Sequence, residues 1–488
     1  MRFQRSRTHV LDVIVFFLLA LFELISLFAI NSSVYSLLIH YYALIVILGF
    51  GLDILLFVVV GLNRYYVSFL FIILLYLFNF GQIILLGLAN NYVFYHYNYL
   101  AGLNSQIVKS SIIACFIYIK AFELGILVES RKGLFTSHIS GPKLDLQANE
   151  LSVMKLRYVS AIILFLFLPI DLYKNFSLLA KAFTGGYHAT FATETGTGSG
   201  VIDALANFPL SALCLLIFAE RSNPKKAGMI LGIAISFKIL FMFYGERGHQ
   251  LIGIFLLLYV YMRYVRRVNS ISPAKIALYS IGFLFLISLV SEIREFGILY
   301  FIENIGDVFV SVSSRNILLE TIEVLGETFI NTYFVIEQIS MKNMVFQYGQ
   351  TFLKSLASFL PNINNIFTSI NNEAILSKVL GQIYGHHLGG SIIAELYYNF
   401  GLYGSLVAFF LGSLLMKAER TMNNLDDSSG YRIAFIIPFF YCMLWLVRDS
   451  FANTIRIILW QYILFIIVIG LVNDILGLNV KGSKYYVC

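Results

Sequence analysis

The chain has 488 residues, with 34 Lys and Arg against 27 Asp and Glu for a net charge of +7. It is 59% hydrophobic, 16% aromatic and 12% charged, with a mean hydropathy of +0.81. Soluble domains carry about 25% charged and about 45–50% apolar residues. Soluble, disordered and disulfide-framed secreted chains are therefore excluded, and a polytopic helical membrane protein remains.

A β-barrel fits poorly, because barrels alternate over segments of about ten residues and the apolar runs here continue for about 20. Of the four cysteines, Cys115, Cys214 and Cys442 sit in apolar runs and Cys488 ends the chain, so no disulfide framework is indicated.

Arg2, Arg5 and Arg7 precede the first apolar stretch, which is long and lacks a small-residue cleavage site; it reads as a retained first helix. Runs long enough to cross about 30 Å of hydrocarbon follow in order near 10–30, 34–60, 67–89, 107–128, 158–173, 201–219, 227–244, 250–262, 276–290, 393–416, 433–447 and 457–476. They predict an all-α protein of twelve transmembrane helices. Helices one to nine occupy 1–290 with short loops. Residues 291–392 form one long loop, and 393–488 hold helices ten to twelve and the C-terminus.

With the N-terminus inside, 21 of the 34 cations fall in cytoplasmic segments, ten fall outside, and Lys109, Lys120 and Lys238 lie within spans. This bias places both termini in the cytoplasm. The basic excess is thus a topology signal, and nucleic acid is not implied.

The long loop is extracytoplasmic on this topology and carries five cations against nine carboxylates. Within it Leu318, Ile322, Leu325, Phe329, Tyr333 and Ile336 recur at three- and four-residue steps, with Glu320, Glu323 and Glu327 off that stripe. The pattern predicts an amphipathic helix that lies on the membrane or caps a cavity. Gly349, Pro361, Asn362, Asn364 and Asn365 predict irregular chain around 345–370.

Cations on the outer side need solvent or an anionic partner. Arg247 stands in Gly245-Glu246-Arg247-Gly248-His249, a tight hairpin between spans seven and eight whose glycines allow close approach to a ligand. Its guanidinium can present a planar fork to a phosphate; the alternative is a structural turn with Arg247 reaching headgroups. Arg294, Arg315, Arg448 and Arg456 also stand at outer span ends or in the long loop. As a set they suggest a shared anionic ligand. His386 and His387 precede span ten and can exchange a proton near neutral pH. Adjacent histidines do not share a helix face, so no zinc pair is implied. No metal motif appears, and no cofactor is expected. Asp53, Lys109, Lys120, Glu123, Asp171 and Lys238 are ionisable groups within spans. Lys120 and Glu123, three apart, can pair on one face.

The stretch Tyr348-Gly349-Gln350-Thr351-Phe352, then Phe359-Leu360-Pro361, then Gly389-Gly390-Ser391 through Glu395, Tyr397, Asn399-Phe400-Gly401 and Gly404, resembles the Wzy-type O-antigen and capsular polysaccharide polymerases. The hairpin at 245–248 is similar to theirs, and so is the layout of a large outside loop before a late span. A single, acidic loop departs from the paired arginine-rich loops of better-known lineages.

The resemblance implies a GT-C-like fold in the bacterial cytoplasmic membrane. It implies joining of oligosaccharide repeat units carried on undecaprenyl diphosphate at the outer face of that membrane, with a chain-length regulator and a flippase as associated proteins. In that chemistry guanidinium groups stabilise the leaving diphosphate, with Arg247 foremost and Arg294, Arg448, Arg456 and Arg315 as further contacts. A base serves the acceptor hydroxyl, the candidates being His386, His387, Glu395 and Glu246. His249 is a further substrate contact, and Tyr348, Tyr384 and Tyr397 are candidates to stack on sugar rings. A lipid-linked oligosaccharide flippase and an O-antigen ligase are the competing functions. The long outside loop weighs against the flippase.

Overall fold

A computed structural model describes residues 2–30, 35–62, 65–88, 94, 98–132, 146–192, 205–244, 247–266, 303–307, 310, 316–357, 375–385, 389–425 and 429–475. Among these, seven helices are long and apolar enough to cross a membrane: Leu11–Ala29, Leu37–Val60, Tyr66–Leu88, Ser105–Arg131, Val153–Phe183, Ile392–Asn423 and Phe451–Ile475. Each coincides with one of the apolar runs above. Runs six and eleven appear as the shorter apolar helices Phe208–Ala219 and Gly430–Leu446. The ninth, 276–290, lies outside the described residues. The protein is an all-helical, polytopic membrane protein.

The chain divides into two compact units. The first comprises 1–140, 309–423 and 443–455. Its helices are α1 (Arg2–Ala29), α2 (Tyr35–Val60), α3 (Tyr66–Leu88) and α4 (Ser105–Lys132). The second comprises 141–308, 424–442 and 456–488 and begins with α5 (Leu146–Ala192), α6 (Phe208–Ala219), α7 (Pro224–Met242) and α8 (Arg247–Val260), which continues into a π-helical turn. The chain returns to the first unit with α9 (Ile317–Leu325), α10 (Phe329–Ser340), α11 (Gln350–Ala357), α12 (Leu376–Tyr384), α13 (Ile392–Phe400) and α14 (Gly404–Asn423). Helices α15 (Ile433–Leu446) and α16 (Phe451–Ile475) each begin in one unit and end in the other.

In the first unit α4 is the central element, since α1, α3, α10 and α14 all pack on it. Its approach to α14 is reciprocal: a side chain at Gly125 would run into the Phe409 carbonyl, and one at Gly412 into that of Phe122. Small residues at such crossings let backbones touch where lipid offers no hydrophobic drive to associate.

Charged side chains finish the helix ends. The Glu419 carboxylate, fully buried on α14, accepts the backbone N–H groups of Val67 (2.8 Å) and Ser68 (2.8 Å) and the Ser68 hydroxyl (2.7 Å). Those are the first donors of α3, which have no partner within the helix, and the carboxylate also meets the positive end of the helix dipole. At the other polarity, Lys109 on α4 donates to the carbonyls of Phe28 (3.1 Å) and Ile30 (2.8 Å) at the end of α1. Its place inside an apolar run is thereby explained.

The amphipathic pattern over 318–336 forms α9 and α10, joined by a short 3₁₀ turn at Gly326–Thr328. The later part of the stripe is buried as expected, with Phe329, Tyr333 and Ile336 in the core. The first turns are not: Leu318 is 56% exposed while Glu320 and Glu323 are buried. Helix α9 packs on α3, where Gln82 donates to the Glu323 carbonyl at 3.5 Å. That polar stretch of α3 receives the acidic side of α9.

In the second unit α5 is 47 residues long with Pro169 inside it. At 1.5 Å per residue it extends about 70 Å. It packs on α6, and α7, α8 and the π-helical turn surround α6. A Cβ at Gly430 would meet Phe218 and Leu156, so the start of α15 is seated on the end of α6 and on α5.

Replacing Glu419 with Ala leaves the first N–H groups of α3 buried and unmatched. A loss of about 2–4 kcal/mol is expected, read as a lower midpoint in equilibrium unfolding of the detergent-purified protein. Lys417→Ala, two residues away on the same helix and exposed, serves as the control with an unchanged midpoint.

Candidate functional site

The Gly389-Gly390-Ser391 stretch opens α13 and decides how the end of α15 meets the start of α16. The Gly390 N–H donates to the Arg448 carbonyl at 3.0 Å. A Cβ at Gly390 would stand 2.7 Å from the Asp449 Cα and from the Ser450 nitrogen, so only glycine fits there without a backbone shift. Ser391 caps α13, its hydroxyl accepting the Ala394 N–H at 3.4 Å.

One turn on, Glu395 is 2% exposed, and its Oε2 accepts the Phe451 N–H at 2.8 Å, the first residue of α16. Asp449 completes the same helix start. It accepts the Ser450 N–H (2.7 Å) and the Asn453 side-chain amide (2.9 Å) through Oδ1, and the Trp445 indole N–H through Oδ2. A glycine contact, a serine cap and two carboxylates thus hold the 445–453 elbow.

This elbow presents Arg448. Its guanidinium is ion-paired to Glu327 at 3.4 Å and lies 6.0 Å from the centre of the Phe78 ring. The Arg448 side chain retains 37% exposure. It is anchored on one side and open on another.

Further along α13, Asn399 is fully buried and ties the Tyr348-Gly349-Gln350-Thr351 stretch to it. Its side-chain amide donates to the Thr351 hydroxyl (2.6 Å) and the Glu395 carbonyl (2.8 Å), and its Oδ1 accepts the Gly349 N–H (3.1 Å). The Tyr348 N–H donates to the Asn399 carbonyl at 2.8 Å. Tyr348 is left with φ of 46° and a 79% exposed ring. Positive φ in a bulky residue is an uncommon, strained conformation that persists only when its surroundings enforce it. Tyr397 is half-buried, with its ring 6.0 Å from that of Phe346.

Beside this stretch, Glu337 on α10 accepts the hydroxyls of Tyr333 (2.9 Å) and Tyr384 (2.6 Å), and Gln338 donates to the Tyr384 oxygen (2.7 Å). Burial pushes the Tyr333 hydroxyl up to about 12. Burial, then the bond to Glu337, pushes that of Tyr384 up as well. Both stay protonated donors at neutral pH. The Tyr384 ring is stacked on Phe334, centroids 3.6 Å apart.

In the second unit Arg247 begins α8, partly buried. The base of its hairpin is held by a polar network. The Tyr244 hydroxyl donates to Asn175 Oδ1 at 3.0 Å, and Asn175 in turn donates to Asp171 Oδ1 at 2.6 Å. The Gln250 side-chain amide donates to the Tyr244 oxygen at 3.2 Å and to Asn175 Oδ1 at 3.4 Å. His249 is hydrogen-bonded through Nδ1 to the Tyr441 hydroxyl, and its ring stacks on that of Tyr441 at 5.9 Å. Arg456 is half-buried in the second turn of α16. Glu246, Arg294, Arg315, His386 and His387 lie outside the described residues.

Among the described residues, then, Glu395, Arg448, Tyr348 and Tyr397 belong to the first unit, and Arg247, His249 and Arg456 to the second. No metal-holding group of His, Cys, Asp or Glu occurs among the described residues. Glu327 was missed as a partner of Arg448; its position off the apolar stripe was the available signal. Asn175, Tyr244 and Gln250 were missed because they stand at the ends of separate apolar runs, and only the fold collects them.

Residues 13–478 match the family model of the O-antigen polysaccharide polymerase Wzy. That span is nearly the whole chain, and the protein belongs to this family. It is accordingly a multi-pass protein of the bacterial inner membrane and a polysaccharide polymerase, working on lipid-linked oligosaccharide in the bilayer. No curated protein and no solved structure gives a match.

Gly390→Ala should destabilise the protein by about 1–3 kcal/mol, because its Cβ meets backbone. At Gly389 the nearest atoms to a Cβ are those of Arg448, at 3.6 Å and beyond. Gly389→Ala should therefore stay within about 0.5 kcal/mol of wild type. Thermal unfolding of the two purified variants, side by side, checks the contrast.

Proposed function

We propose that this polymerase transfers a growing glycan from undecaprenyl diphosphate to the non-reducing end of an incoming lipid-linked repeat, at the outer face of the cytoplasmic membrane. The observation that carries the reading is the family match over nearly the whole chain. The layout proposed with it is GT-C-like, with twelve spans, both termini cytoplasmic and residues 291–392 on the outer side. The bias of 21 of 34 cations toward the inner segments supports that orientation.

In this step the anomeric C–O bond to the diphosphate breaks and a glycosidic bond forms to the acceptor hydroxyl. The hydroxyl proton passes to a base, and undecaprenyl diphosphate leaves with its negative charge. The chemistry asks for cations at the leaving group.

Arg448 is proposed as one such cation. Its support is local: the elbow built by Gly390, Ser391, Glu395 and Asp449 holds it, Glu327 anchors it, and part of its guanidinium remains accessible. Arg247 is proposed separately, on the support of the Tyr244–Asn175–Gln250 network at the base of its hairpin. Arg294, Arg315, Arg456 and His249 are proposed as further substrate contacts. His386 and His387, with Glu246, are the proposed bases. Glu395 is a further proposed base: its Oε2 holds the start of α16, while its Oε1 is buried without a hydrogen-bond partner. Tyr348, exposed at the end of a strained turn, and Tyr397 are the proposed platforms for sugar rings.

Labelled lipid-linked repeat incubated with the purified full-length protein tests the reading. Lengthened glycan is expected. Translocation without lengthening would make the protein a flippase, and transfer only to a lipid A-core acceptor would make it a ligase. Arg448→Ala and Arg247→Ala, each alone, should lower lengthening by about 100-fold or more while the protein still inserts in the membrane. Near-normal ladders of surface glycan from cells carrying either variant would remove that arginine from the mechanism.

A further inference from the structure

Away from the elbow, three helices of the first unit bring charged groups together inside the bilayer, and a fourth adds a tyrosine. Glu23 comes from α1, Asp53 from α2, and Lys120 and Glu123 from α4; Tyr76 on α3 donates its hydroxyl to Asp53 Oδ2. All five are buried, with Glu123 at 0% exposure. The Lys120 ammonium is 2.9 Å from Glu23 Oε2, 3.4 Å from Glu123 Oε2, and ion-paired with Asp53. Phenyl rings of Phe116 and Phe16 lie 5.0 and 5.8 Å from the same nitrogen. Space for the Glu23 carboxylate is made on α2 by Gly49, where a Cβ would stand 3.0 Å from its Cδ.

Three carboxylates surround one ammonium. Fully ionised, the cluster would hold two uncompensated negative charges among apolar helices, at large cost. Several other charged groups on the packed elements are engaged elsewhere. Asp12 pairs with Arg131, Arg420 pairs with Glu129, and Glu419 caps α3. Neither oxygen of Glu123 or of Glu23 has a hydrogen-bond partner, and neither does Asp53 Oδ1. Glu123 is the more loosely paired of the two glutamates, at 3.4 Å from the ammonium against 2.9 Å for Glu23. An ionised carboxylate only accepts, and one that takes up a hydrogen gains a donor. A metal ion does not fit, because the ammonium holds the centre of the group.

We propose that the Glu23–Asp53–Lys120–Glu123 cluster is a proton-binding site within the membrane, with Glu123 taking up one H⁺. Only one bond forms: a carboxylate oxygen takes the proton, Glu123 becomes neutral, and the cluster drops from two negative charges to one. The site stands apart from the residues assigned to polymerisation and does not depend on that assignment.

Infrared difference spectroscopy on the full-length protein in nanodiscs tests it. At neutral pH the wild type should show the carbonyl stretch of a buried protonated carboxyl, and Glu123→Gln should lose it. The folded state then binds one more proton than the unfolded state at neutral pH. The folding equilibrium constant should therefore fall about tenfold per pH unit as pH rises toward release of the proton, and Glu123→Gln should abolish that slope. A wild type without the band, or a variant that retains it, overturns the proposal. Should Glu123→Gln fail to fold, Glu23→Gln gives an independent reading. With one negative charge fewer nearby, the band should disappear at a pH at least one unit lower than in wild type, and an unmoved midpoint refutes the site.

Discussion

A helix that ends inside or at the edge of a bilayer has little water to complete its hydrogen bonds, so other groups must do so. This constraint runs through the first unit. Glu419 takes the first N–H groups of α3, Lys109 takes the last carbonyls of α1, and Glu395 with Asp449 takes the start of α16. Charged residues that would otherwise be costly in an apolar chain become fasteners between helices distant in sequence. The last two also hold the elbow that presents Arg448, so the part of the chain nearest the proposed chemistry owes its geometry to helix capping.

The apolar runs were legible because hydropathy reports directly on what must face lipid. Seven of them became helices long and apolar enough to span, four of these within about three residues of the expected limits. Helix length was less legible where a helix outlasts its apolar stretch. The run at 158–173 became part of α5, which continues to Ala192 through Gly185 and Gly186. The run at 393–416 became two helices, since Gly401 with φ of 56° ends α13 before α14 begins.

The site was legible as a motif and not as a mechanism. Gly390, Ser391, Glu395, Asn399 and Gly401 were all visible as a pattern, and each has an architectural reason. A close approach, a cap, a second cap, a brace and a turn are arranged over about three turns of chain. Sequence spacing could not say that Glu395 faces the start of α16, because that partner lies 56 residues away. Arg448 was visible as a cation out of keeping with the topology bias, but its Glu327 partner lies 121 residues earlier and only packing reveals it. Tyr348 stood out from 31 tyrosines only once its backbone angle and exposure were known.

The bond from Phe451 to Glu395 also bears on the order of biosynthesis. While the ribosome is still making residues 396–450, the α13 carboxylate has no partner of this kind to receive it, and it joins the bilayer as an unmatched acid. Only when α16 emerges does the Glu395 Oε2 gain the Phe451 N–H. The start of α16 is therefore the last part of the elbow to be made.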